Sequence, residues 1–142
     1  VNNDPIAQET EELVLRSRDN STLKFRVTDR WDSGQVGDSV DFDIEIDAAP
    51  FFGRTTGNTH YAGSPSRLFD SIAASWRGWD GTKDWRDESG QVGFEASSDS
   101  TGHTALIVEL STSMRVCVLR ATLFFDAGQL DDTARQVKRL FG

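Results

Sequence analysis

The sequence predicts an α+β domain: an antiparallel β-sheet of about six strands, with one central and one C-terminal helix packed on one face. Three observations carry this. Apolar and polar residues alternate with period two through both halves of the chain, whereas helical spacing appears only twice, near the middle and at the end. The third is size: 142 residues, 37% hydrophobic and 27% charged, with three prolines, fit one globular core.

Residues 1–10 lack periodicity and are expected to form a flexible acidic tail, leaving 11–142 as a single domain. In "LVLRSRDNSTLKFRV", Leu13, Leu15, Leu23, Phe25 and Val27 alternate with polar positions on both sides of "DNS", the pattern of a hairpin. A three-residue loop, Asp19–Ser21, sets Leu15 opposite Phe25 and Arg16 opposite Lys24. That like-charge pair needs acid alongside. The strand "VDFDIEIDA" supplies it, with Val40, Phe42, Ile44 and Ile46 on one face and Asp41, Asp43, Glu45 and Asp47 on the other. Those four carboxylates either form a charge ladder with Lys24 and Arg26 or a stripe that docks a basic partner.

"DRWDSGQVGDS" reads as a loop marked by Gly34 and Gly37. "PFFGRTTGNTHYAGS" reads as irregular, with Phe51, Phe52 and Tyr61 pinning it to the body. A helix follows, with Ser64 as N-cap, Pro65 in its first turn, an apolar stripe of Leu68, Phe69, Ile72 and Trp76, and Gly78 at its end. "QVGFEASSD", "GHTALIVELS" and "RVCVLRATLFF" read as three strands; the last places Cys117 mid-strand as an inert apolar residue. The final helix opens on a capping box, Asp126 with Gln129, and buries Leu130, Ala134, Val137 and Phe141.

Composition excludes several function classes. The longest apolar runs, "ALIV" and "VCVL", are far short of the roughly 20 residues a membrane-spanning helix requires. "VNNDPIAQETEE" is too polar for a signal peptide, and one cysteine fits a reducing compartment, so a cytoplasmic protein is expected. A net charge of −8 argues against nucleic-acid binding and suits a basic partner. No metal-ligand spacing and no phosphate-binding glycine loop appears, so no metal and no cofactor are expected.

The candidate functional residues are few. There are two histidines, His60 and His103. His103 follows Asp99 by four residues, a pair suited to acid–base catalysis or to closing a turn. Nothing else completes a mechanism, so no catalytic residue is assigned and the chain is expected not to be an enzyme. "SWRGWDGTKDW" carries Trp76, Trp79 and Trp85; Trp76 is expected in the core, and Trp85, among charges, at the surface. With Asp41, Asp43, Glu45 and Asp47, Trp79 and Trp85 are the candidate partner-binding residues.

Three segments resemble an uncharacterised family of small actinobacterial proteins. They are W-x-G-W-x-G at Trp76, Gly78, Trp79 and Gly81; D-x-x-G-H at Asp99, Gly102 and His103; and D-x-G-Q-L at Asp126, Gly128, Gln129 and Leu130. The resemblance runs over residues 12–141 and brings no activity with it. It leaves Trp76, Asp99, Gly102 and His103 as motif residues whose role is open. The family's layout is in turn similar to that of small immunity proteins that neutralise secreted bacterial toxins, which implies a protein-binding module inhibiting a basic toxin. The alternatives are a small-ligand-binding protein or enzyme using His103 and Asp99 near the tryptophans, and a homo-oligomeric structural module.

Overall fold

Residues 11–32 and 38–142 are described by a computed structural model. The strands β1 (Glu12–Arg16), β2 (Thr22–Asp32), β3 (Asp38–Ala48) and β4 (Phe51–Asn58) make one antiparallel sheet in the order β1-β2-β3-β4. A second four-stranded sheet, β5 (Lys83–Arg86), β6 (Val92–Ser98), β7 (Thr104–Ser111) and β8 (Val118–Phe125), is ordered β5-β6-β7-β8. Helix α1 spans Ser66–Ala74 between the sheets in sequence, and α2 spans Leu130–Phe141 at the end. The α+β class and the antiparallel pairing follow the sequence. The single six-stranded sheet does not: among the described residues, eight strands divide into two sheets. The expected tail, residues 1–10, and the glycines of the 33–37 segment lie outside the described residues.

The missing strands explain the difference. β4 points Gly53, Thr55 and Gly57 inward, so it has no apolar alternation to read. Small residues are required there because β4 lies across the ends of the second sheet. A Cβ on Gly57 would meet Val92 at 2.8 Å and Phe42 at 2.9 Å, and one on Gly53 would run into the end of the Leu119 side chain. Between them, Thr55 Oγ1 donates to the Ser111 carbonyl (3.0 Å). The other unread strand, β5, has four residues and a single buried apolar side chain, Trp85. Phe51, Phe52 and Tyr61 do not pin their segment; all three are exposed.

The first hairpin also has a different register. Leu15 faces Leu23, Leu13 faces Phe25 and Arg16 faces Thr22. The loop is five residues long because the Ser17 N–H reaches the Ser21 carbonyl (2.8 Å) and Asn20 turns through positive φ. Arg16 and Lys24 are therefore not opposed; Lys24 lies opposite Val14 on one side and Glu45 on the other. "DRWDSGQVGDS" is strand at both ends, since Trp31 pairs with Ser39.

Inward residues of both sheets and both helices share one core. Phe25 and Phe42 of the first sheet meet Phe141 of α2 edge-on, at 5.3 and 5.2 Å between ring centres. Phe25 also meets Phe94 of the second sheet at 5.9 Å, and Phe94 meets Phe69 of α1 and stacks on Trp85. Helix α2 buries Leu130, Ala134, Val137 and Phe141 as its spacing requires, and the Gln129 side chain accepts from the Asp126 N–H (2.8 Å) as a capping box does. Helix α1 starts two residues after Ser64, whose Oγ accepts from the Ser66 N–H (3.0 Å), and it ends at Ala74, before Trp76.

Candidate functional site

The three motif segments meet in space. Gly78, after the first tryptophan of the pair, packs on the Asp99 carbonyl, with 3.0 Å between that oxygen and a Cβ placed at Gly78. Gly102 packs on the Trp76 carbonyl, leaving only 2.5 Å for a Cβ, and its other neighbour is Ala127 of the D-x-G-Q-L turn. His103 lies between Asp99 and Asp126, with Nδ1 3.1 Å from Asp99 Oδ2 and Nε2 3.7 Å from Asp126 Oδ1. Arg18, from the β1–β2 loop, reaches Asp126 at 3.8 Å.

Asp99 is the organiser of this turn. Its Oδ1 accepts from the Thr101 N–H and Oγ1 (both 2.8 Å) and from the His103 N–H (3.0 Å). These bonds, led by the Thr101 hydroxyl, hold the carboxyl far below its ordinary value of 3.8. Asp99 Oδ1 is thus committed to the turn while Oδ2 faces His103 Nδ1, and both side chains of the His103–Asp99 pair are about half exposed. A group with a depressed folded pKa stabilises above its unfolded pKa and loses that contribution as pH falls towards the folded value. Asp99→Asn is therefore expected to melt lower than the parent at pH 7, with the gap narrowing steadily below pH 4. A gap of the same size at pH 2.5 would contradict this origin.

The tryptophans are distributed otherwise than their neighbours in sequence suggest. Trp76 is half exposed, with the Arg77 guanidinium 4.8 Å above its ring, because α1 has ended before it. Trp85 is buried, stacked on Phe94, and its Nε1 donates to the Gly63 carbonyl (3.1 Å). It therefore cannot serve as an exposed docking residue. Trp79 is half-buried under Lys83, and its buried Nε1 has no hydrogen-bond partner among the described residues.

Three of the four carboxylates of the acidic stripe are engaged internally. Asp43 lies 3.7 Å from Arg26, and Glu45 lies 3.8 Å from Lys24 and 3.9 Å from Arg54. Asp47 is exposed opposite Thr22 and Phe52. Asp41 accepts from Trp31 Nε1 (3.3 Å) and contacts His60 Nε2 (3.0 Å), while His60 Nδ1 lies 2.8 Å from the Ser39 hydroxyl oxygen. Sequence reasoning passed over this Ser39–His60–Asp41 cluster. Its signal was the same-face placement of Ser39 and Asp41, visible only once β3 is extended back through Ser39.

A second feature was missed at the β7–β8 turn. Met114 and Arg115 both adopt left-handed backbone, with φ of 64° and 56°. Met114 is 91% and Val116 86% exposed. Cys117 sits in this exposed turn and not mid-strand, since β8 begins at Val118. The signal was two apolar residues set among turn formers in "STSMRVC". Among the described residues no group of three metal-ligating side chains converges, and no helix is long and apolar enough to cross a membrane.

Among the described residues the fold is α+β with two antiparallel four-stranded sheets, and its motif segments gather around one exposed turn. The chain belongs to a family of unknown function (DUF6228), matched over residues 15–142. No curated protein and no solved structure matches it.

Proposed function

We propose that this chain is a non-catalytic protein-binding module that forms a stoichiometric complex through one apolar end. The observation that carries the reading is the exposure of Phe51, Phe52, Met114, Val116 and Val118. The two groups flank the contact of Gly53 with Leu119, so they share one end of the molecule. Several large apolar side chains exposed at one end favour an interaction site over a merely solvated surface. The left-handed Met114–Arg115 turn supports it, because unfavourable backbone is retained where the displayed side chains are used.

The resemblance to immunity proteins gives this reading its specific form, an inhibitor of a basic toxin in the cytoplasm. The net charge of −8 supports that form, since opposite charge speeds encounter. The paired state of Asp43 and Glu45 moves the contact surface away from the acidic stripe and towards the apolar end.

The test is capture of a partner from the native host at low salt, followed by titration of the purified pair. A saturable equimolar complex that weakens with salt is expected. The double variant Met114→Asp, Val116→Asp is expected to bind at least about 10-fold more weakly with an unchanged melting temperature. Failure to retain any saturable partner, or equal binding by the variant, would overturn the reading.

A further inference from the structure

β8 is the last strand of its sheet, and its backbone pattern fixes what its outer edge offers. In an antiparallel ladder a residue's N–H and C=O point to the same side, and successive residues alternate. Phe124 points outward: its N–H donates to Ser17 Oγ (2.9 Å) and its carbonyl accepts from the Arg18 N–H (2.9 Å). The β7–β8 register runs without a shift from Phe125 back to Val118. Val118, Arg120 and Thr122 therefore present their N–H and C=O groups to the same outer edge, where no strand pairs with them among the described residues.

The side chains on either side of this edge are incomplete in complementary ways. On the inner face Leu119 and Ala121 pack against the core yet stay only partly buried. On the outer face Arg120 lies 3.7 Å from Glu109, which also holds Arg86 (3.2 Å) and Arg115 (2.8 Å). Three guanidinium groups around one carboxylate leave a local excess of positive charge in an acidic protein. An edge with unpaired backbone groups is a template for a further strand.

We infer that the outer edge of β8 docks an extended segment of a partner chain as a fifth strand, paired with Val118, Arg120 and Thr122. The segment places apolar side chains over Leu119 and Ala121 and a carboxylate opposite Arg120. This inference rests on the protein-binding reading and names the site and chemistry of the contact. A second copy of the chain fits less well, because two-fold pairing of β8 with itself sets Arg120 opposite or diagonal to its own copy. One carboxylate on the docking strand is compatible with a partner that is basic as a whole.

The probe is a library of random dodecapeptides displayed on phage and selected against the full chain. Enriched peptides are expected to alternate apolar and polar residues around one Asp or Glu, and to protect the Val118, Arg120 and Thr122 amides from hydrogen exchange. Thr122→Pro removes an edge donor without touching a bond to β7 and is expected to weaken binding at least about 10-fold. Arg120→Glu leaves Arg86 and Arg115 on Glu109 and is expected to switch the selected charge from acidic to basic. Peptides indifferent to both variants would overturn the β8 edge while leaving the protein-binding reading standing. No enrichment, or a dimer by light scattering that Thr122→Pro dissolves, would also overturn the foreign strand.

Discussion

Replacing Phe25 by alanine is expected to lower the unfolding free energy by about 3–5 kcal/mol, the usual cost of truncating a buried phenylalanine. Phe25 is fully buried and touches three other rings: Phe42 on its own sheet, Phe94 on the second sheet and Phe141 of α2. The truncation leaves a cavity bordered by both sheets and the C-terminal helix, so no single neighbour can move in to fill it. Whole-domain stabilities run to about 5–15 kcal/mol, which puts the loss near the limit the fold can carry. Urea unfolding followed by tryptophan fluorescence measures it. A loss below about 1.5 kcal/mol would mean that the core collapses freely around the site, contrary to the usual partial relaxation. Val14→Ala serves as the comparison, because Val14 is half exposed and its change is expected to stay within about 0.5 kcal/mol.

How far the sequence revealed this core depended on where the packing partner lies. The stripes of α2 and the alternation of β2 and β3 are local patterns, and they predicted which residues are buried. Phe42, Ile44 and Ile46 are inside, and Lys24 and Arg26 face Glu45 and Asp43 as the alternation requires. β4 obeys a different rule. Its inward Gly53 and Gly57 are small because another sheet crosses them, a fact that belongs to tertiary structure. The tryptophans fail for the same reason. Helical spacing extends to Trp76, but the chain leaves the helix at Ser75 and turns the indole outward. Trp85 sits among charges in sequence, yet period-two alternation in β5 turns Asp84 and Arg86 out and the indole in. In the site, the Asp99–His103 turn was legible from four-residue spacing. Its meeting with Trp76 and Ala127 was not, since those residues are far apart in the chain.

That meeting is held by one residue without a side chain, and its test has an internal control. Gly102 has φ of +87°, and a Cβ there would lie 2.5 Å from the Trp76 carbonyl oxygen. Gly81 has a comparable φ of +77° with nothing within 4 Å. Alanine at Gly81 therefore carries only the backbone cost of the left-handed region, about 1–2 kcal/mol. Alanine at Gly102 carries that cost plus a clash with backbone that cannot rotate away, about 1–3 kcal/mol more by analogy with overpacked cores. The expected outcome is a loss of about 2–5 kcal/mol for Gly102→Ala and about 1–2 kcal/mol for Gly81→Ala. Near-equal losses would show that the Trp76 segment is free to withdraw from the turn. In that case the gathering of the three motif segments imposes no geometry. A larger loss at Gly102 ties the exposed indole of Trp76 to the Asp99–His103 turn as one rigid surface, because the only relief for the clash is to part the segments that carry them.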